Sequence, residues 1–162
     1  MLFSPACKKI EDLFSFTVSN ESSITIQSTT PVNLPFNIIS PDVTTNSSEQ
    51  FKNNNTDVKY VRNIILQSLQ LTITSPSPQD FNFLKSIHVY ISTNSENETE
   101  LASLDQVPAG VNTIALIPTN AALDIYVKAA SYTLRTQVVM NQILTQDVTV
   151  NAKSKFKVTA NL

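Results

Sequence analysis

From Leu13 onward the apolar residues of this chain recur at every second position, and that period decides its class of fold. Phe14, Phe16 and Val18 alternate with Ser15, Thr17 and Ser19, Ile24 and Ile26 alternate with Thr25 and Gln27, and Ile87, Val89 and Ile91 alternate with Ser86, His88 and Tyr90. Successive side chains of an extended strand point to opposite faces, so this pattern predicts strands with one face buried and one in water. The wet face is built from Ser, Thr, Asn and Gln, because charged residues make up only 15% of the chain against 41% hydrophobic ones. Such a balance is too apolar and too weakly charged for a disordered chain. At 162 residues the chain is long enough for one domain with a full core.

Punctuation between the alternating runs sets the number of elements. Pro31, Pro35 and Pro41 flank Val32 to Ile39, which predicts a loop or an edge strand, since proline cannot donate to a ladder. Asn46 to Lys52 predicts one short helix behind a serine or asparagine cap. Asp57 to Ser75 is the longest strand-like run, and its apolar phase slips at Gln67-Ser68, from Ile64 and Leu66 to Leu69, Leu71 and Ile73. A β-bulge produces that slip. Leu84 to Ser92 and Thr99 to Leu104 predict a hairpin with a long acidic tip, Val111 to Ile117 a strand, Asn120 to Ala130 a turn or two of helix, and Tyr132 to Met140 a further strand. Asp147 to Val150 and Phe156 to Ala160 predict a terminal hairpin. The sum is an all-β protein, an antiparallel β-sandwich of immunoglobulin-like or Greek-key topology with one or two short helices.

Gly110 is the only glycine. Average usage of about 7% would supply roughly eleven. Phosphate-cradling loops, dinucleotide fingerprints and nucleophile elbows need glycine for close backbone approach or positive φ, so none can be built here. Turns must use Asn, Asp, Ser and Pro instead. His88 is the only histidine and Cys7 the only cysteine, which excludes a His/Cys zinc site and an internal disulfide. A net charge of −2, with cations scattered along the chain, gives no basic footprint for nucleic acid. The chain reads as a non-enzyme without a cofactor. A hydrolase assembled from His88 with Asp80 or Asp105 is the weakest alternative.

Two charge patterns stand out. Glu96, Glu98 and Glu100 alternate, so in an extended arm they share a side; calcium is the metal such oxygen ligands suit. The plainer reading is a solvated hairpin tip whose charges discourage edge pairing. Lys153, Lys155 and Lys157 also alternate. They predict an exposed edge guarded by charge, with contact to anionic lipid headgroups or glycans as a secondary reading.

The start of the chain carries the most specific chemistry. In Met1-Leu2-Phe3-Ser4-Pro5-Ala6-Cys7 a small residue precedes a cysteine behind an apolar stretch, which resembles a relaxed lipobox and makes Cys7 a lipid-attachment point. The following Lys8-Lys9-Ile10-Glu11-Asp12 is similar to the charged stretches behind the lipidated cysteine of Bacteroidota lipoproteins. The runs Leu84 to Ile91, Leu123 to Lys128 and Phe156 to Ala160 resemble β-sandwich lipoproteins of the same group. That resemblance implies a location, the bacterial outer membrane, and brings no activity with it. Residues 1–12 then form the end of a lipoprotein signal and a tether, and 13–162 a single β-sandwich domain. The expected function is a lipid-anchored binding or structural module with a protein or glycan partner; a calcium-stiffened adhesin-like module is the alternative.

Overall fold

A computed structural model describes residues 13–161. In it β1 (Leu13–Ile26), β2 (Pro35–Ile39), β3 (Val43–Thr44), β4 (Val61–Ser75), β5 (Leu84–Ser92), β6 (Thr99–Leu104), β7 (Thr113–Pro118), β8 (Ser131–Met140) and β9 (Val148–Asn161) are joined through two short helices, α1 (Ser47–Asn53) and α2 (Asp124–Val127). Hydrogen-bonded neighbours run β1-β9-β4-β7-β6-β5-β8-β2, with β3 also on β8. The strands pair as a nested set: β1 with β9, β2 with β8, β4 with β7 and β5 with β6, all antiparallel. One layer is β1-β9-β4-β7 and the other β2-β8-β5-β6, which is the connectivity of a jelly roll, two interlocked Greek keys. The expected antiparallel sandwich is present, in its Greek-key form.

The two layers are continuous through β7. Thr113 to Leu116 ladder with β4, whereas Ile117 and Pro118 pair with Ser103 and Ala102 of β6. A strand that changes partner along its length turns the sheet through a corner. Between the layers lie Val18, Ile64, Leu71, Ile87, Ile91, Leu134, Phe156 and Val158, none more than 2% exposed. Each such side chain contributes about 1.5–3 kcal/mol by leaving water. Phe156 of β9 meets Tyr132 of β8 edge to face, centroids 6.4 Å apart, and so ties one layer to the other.

Local details follow the sequence closely in most places. The slip in β4 is a register shift between Leu66 and Ser68 against β9, and it keeps both Leu66 and Leu69 buried. Residues Val58–Tyr60, expected within that strand, instead form a 3-10 turn capped by Asp57, whose carboxylate accepts the N–H of Val58. Asn33, Asn46, Asn55 and Asn120 take positive φ, as Gly110 does; asparagine tolerates the left-handed region that a glycine-poor chain must still reach. Asn46 precedes α1 without capping it through its side chain. Thr45 Oγ1 accepts the N–H of Ser47 in its place.

Two further expectations are corrected. The terminal hairpin is absent, because Val148–Asn161 is one unbroken strand paired to β1 along its whole length and to β4 on its other side. Asn151 to Lys155 keeps the two-residue phase, and Ala152 and Ser154 are buried in step with it. Consequently Lys153, Lys155 and Lys157 guard no edge. They stand on the solvent face of an interior strand.

Candidate functional site

The outer face of the second layer carries one cluster of paired titratable side chains, His88, Glu98, Glu100, Asp105 and Arg135. β5 lies between β6 and β8, with His88 opposite Ser103 and Gln137, and Tyr90 opposite Glu100 and Arg135. Between Val89 and Tyr90 the β5–β6 ladder shifts by one residue, from Val89 with Ala102 to Tyr90 with Glu100. Leu101 and Ala102 are thereby both buried, and Glu100 is aimed outward beside His88. A bulge re-aims a side chain in this way.

His88 is held between two carboxylates. Its Nδ1 is 2.6 Å from Glu100 Oε2 and its Nε2 is 2.8 Å from Asp105 Oδ1. An ionised carboxylate only accepts, so the two partners favour the protonated ring, in which both nitrogens donate. Partial burial pulls the His88 pKa down, but hydrogen bonds and charge from Glu100 and Asp105 outweigh it and leave the value raised above 6.5. A ring with both nitrogens donating has no lone pair with which to take a proton from a nucleophile.

Next to it Arg135 is fixed on three sides. Its Nε and Nη2 each donate to Glu98 at 2.8 Å, its Nη1 donates to Asn37 Oδ1 at 2.7 Å, and its guanidinium lies 4.1 Å over the Tyr90 ring. Hydrogen bonding to Arg135 lowers the Glu98 pKa against the small opposing effect of burial. The fork-to-fork geometry is the strong form of the pair. Together the two parts of this cluster cross β6, β5, β8 and β2, so they clamp the hairpin tip and the short β2 onto the layer.

The sequence candidates fall as follows. His88 and Asp105 are brought together, with Glu100 as the third member. Asp80 is elsewhere, accepting the N–H of Asn82 at the start of a 3-10 turn. Glu96, Glu98 and Glu100 do not share a ligand site: Glu98 holds Arg135, Glu100 holds His88, and Glu96 lies in the tip turn, its N–H donating to Asn94. No group of three metal-ligating side chains forms among the described residues. Cys7 lies outside them. Tyr90, Arg135 and Asn37 were not singled out in the sequence; the alternating phase of the strands carrying Tyr90 and Arg135 was legible, but the register that brings the three together was not.

Among the described residues one depression of about 370 Å³ lies by Thr45 and Lys128, and two larger ones lie elsewhere. One, of about 740 Å³, is wide open at the loop end and is lined by residues including Pro78, Asp80, Gly110 and Asn112. The other, of about 450 Å³, separates the free edges of β1 and β2 near Ile24, Phe36 and Ile39. None of the three contains His88 or Arg135.

No protein-family model matches the chain, and no curated protein matches it. Among solved structures it is similar to the 60-mer BFDV capsid protein at 9% identity, TM-score 0.47, covering 92% of this chain and 93% of that one. The acid-stable capsid of Helicobacter pylori bacteriophage KHP30 follows at 9% identity, TM-score 0.35, with 92% and 94% covered. Desmodium yellow mottle tymovirus follows at 11% identity, TM-score 0.31, with 92% and 90% covered. The jelly-roll order given above rests on this chain's own ladders.

Proposed function

We propose that the chain is a non-enzymatic jelly-roll module of the bacterial envelope, tethered to the outer membrane through a lipid on Cys7, with a protein or glycan as its partner. The observation that carries the non-enzymatic part is the state of His88. In the cluster on the second layer, Glu100 and Asp105 occupy both ring nitrogens and Glu98 is occupied by Arg135. A surface so internally satisfied is rigid and suited to contact, not to proton transfer. The tether is supported by the lipobox-like sequence around Cys7, six residues ahead of Leu13, where β1 begins. Several acyl chains on one cysteine anchor durably, since each buried methylene contributes about 0.8 kcal/mol.

Metabolic labelling with a lipid analogue tests the tether. Wild-type protein should carry label and sediment with membranes, and the Cys7→Ala variant should do neither. A Cys7→Ala protein that is still labelled and membrane-bound overturns the reading, as does hydrolytic turnover that disappears in His88→Gln. The calcium-stiffened alternative predicts a melting temperature that rises with calcium; with Glu98 and Glu100 already paired to cations, the expected result is no change.

A further inference from the structure

The lysines of β9 have lost their sequence-level explanation. An edge strand uses lysine to repel a further strand, but both sides of β9 are occupied, by β1 and by β4. Lys155 and Lys157 are exposed and Lys153 half-buried. They follow each other at every second residue, so their Cα atoms are about 6.7 Å apart along the strand. Like charges held at that spacing repel one another, and uncharged residues such as Asn151 and Thr159, which continue the same face of β9, would not.

Among the described residues only one acid stands near them, and none pairs with Lys155 or Lys157. Ion pairs among the described residues involve His88, Lys128 and Arg135, none of them on this face. Glu21, opposite Lys153 across the ladder, is the single acid on the β1 and β9 part of the face. The other β1 residues facing outward beside the lysines are Ser15, Thr17 and Ser19, short hydrogen-bonding groups that leave the ammonium groups accessible. This positive surface sits on a chain whose net charge is −2, so it is a local concentration and not a general property.

We propose that this outer face of the first layer is a docking surface for an anionic lipid bilayer, with Lys153, Lys155 and Lys157 as its charged contacts. The lysines line none of the three depressions; they project from an open sheet, which matches an extended, planar array of phosphates better than a compact anion. Position supports the same occupant. Leu13 pairs with Asn161 at the end of this layer, and from there back to Cys7 the chain can span at most about 20 Å. The proposal deepens the tethered reading given above: a lipid at Cys7 would bring this face against headgroups, and the lysines would set the orientation of the domain on them. Each lysine near an anionic surface strengthens attachment roughly fivefold.

The test uses full-length Cys7→Ala protein, which cannot carry the lipid, so the face is assayed without the anchor. Sedimentation with vesicles of equimolar phosphatidylcholine and phosphatidylglycerol should recover protein at low salt. Vesicles of phosphatidylcholine alone should not. Raising salt to 0.15 M shortens the screening length to about 8 Å and should weaken the binding. Adding Lys153→Gln, Lys155→Gln and Lys157→Gln should lower affinity on the order of 100-fold while circular dichroism and melting temperature stay unchanged, because these side chains lie outside the core. The proposal is overturned if the protein ignores anionic vesicles, if the triple variant binds them as tightly, or if an oligonucleotide is bound more tightly than the vesicles. Loss of the label at Cys7 with vesicle binding intact would remove the tether and leave this surface standing.

Discussion

Thr136 is 1% exposed on the inward phase of β8, and its hydroxyl makes no hydrogen bond among the described residues. A buried hydroxyl without a partner keeps its desolvation cost, so Thr136→Val, which preserves shape, should stabilise the fold by about 1 kcal/mol in urea unfolding. Contrast Tyr132, equally buried, whose hydroxyl meets the Asn20 side chain at 3.0 Å. With the amide oriented to satisfy both its ends, Asn20 accepts from Tyr132 and donates to Ser19 and Thr45; burial nevertheless pushes the Tyr132 pKa up to about 12. His88 gives the residue-scale pH dependence. Its folded pKa is raised above 6.5, so the stabilisation it contributes is complete below about pH 6.5 and is lost as pH rises through the raised value. Melting temperature should therefore fall over that interval in the wild type and stay flatter in His88→Gln, with a difference on the order of 1 kcal/mol or less for so accessible a pair.

At the scale of elements, the alternation legible in the sequence was a reliable guide to strands and a poor guide to their ends. Leu13–Ile26 is one strand although Asn20-Glu21-Ser22 interrupts its apolar run, because Asn20 keeps the inward phase and finds Tyr132 across the core. Val148–Asn161 is likewise one strand. In both cases polar residues interrupt the apolar run, and partners on other elements make them tolerable. β2 behaved as its prolines required: it pairs with β8 on one side and leaves Phe36 and Ile39 37% and 61% exposed. An apolar free edge invites pairing with another chain. Ile39→Lys should therefore reduce concentration-dependent aggregation, followed by light scattering, while changing stability by no more than about 0.5 kcal/mol.

On the scale of the whole molecule, the nested pairing makes the first and last strands neighbours, and β9 is the interior strand on which β1 and β4 both depend. Core damage there should be felt by both layers. Phe156→Ala removes a fully buried ring that touches Tyr132 of the opposite layer, and its expected cost is about 3–5 kcal/mol. Far-ultraviolet circular dichroism and tyrosine fluorescence should report the loss in the same single urea transition, because neither layer keeps its core without the other. Such long-range pairing also implies slow folding, since loops must close before their strands are satisfied.

The sequence by itself determined that the fold is all-β and antiparallel, that β4 carries a bulge near Gln67, that asparagine must serve where glycine is scarce, and that glycine-dependent phosphate sites are absent. These are local properties: a two-residue period, a phase slip and a φ requirement are each written in a few neighbouring residues. Tertiary structure decided which strands are interior and which are edges, and with that the meaning of charge. Lys153, Lys155 and Lys157 have the same spacing on a guarded edge as on an interior strand. Only the ladders to β1 and β4 distinguish the two. His88 likewise came to lie between Glu100 and Asp105 through a bulge that turns Glu100 outward, a register no stretch of sequence records, because pairing is settled by burial summed over both layers at once.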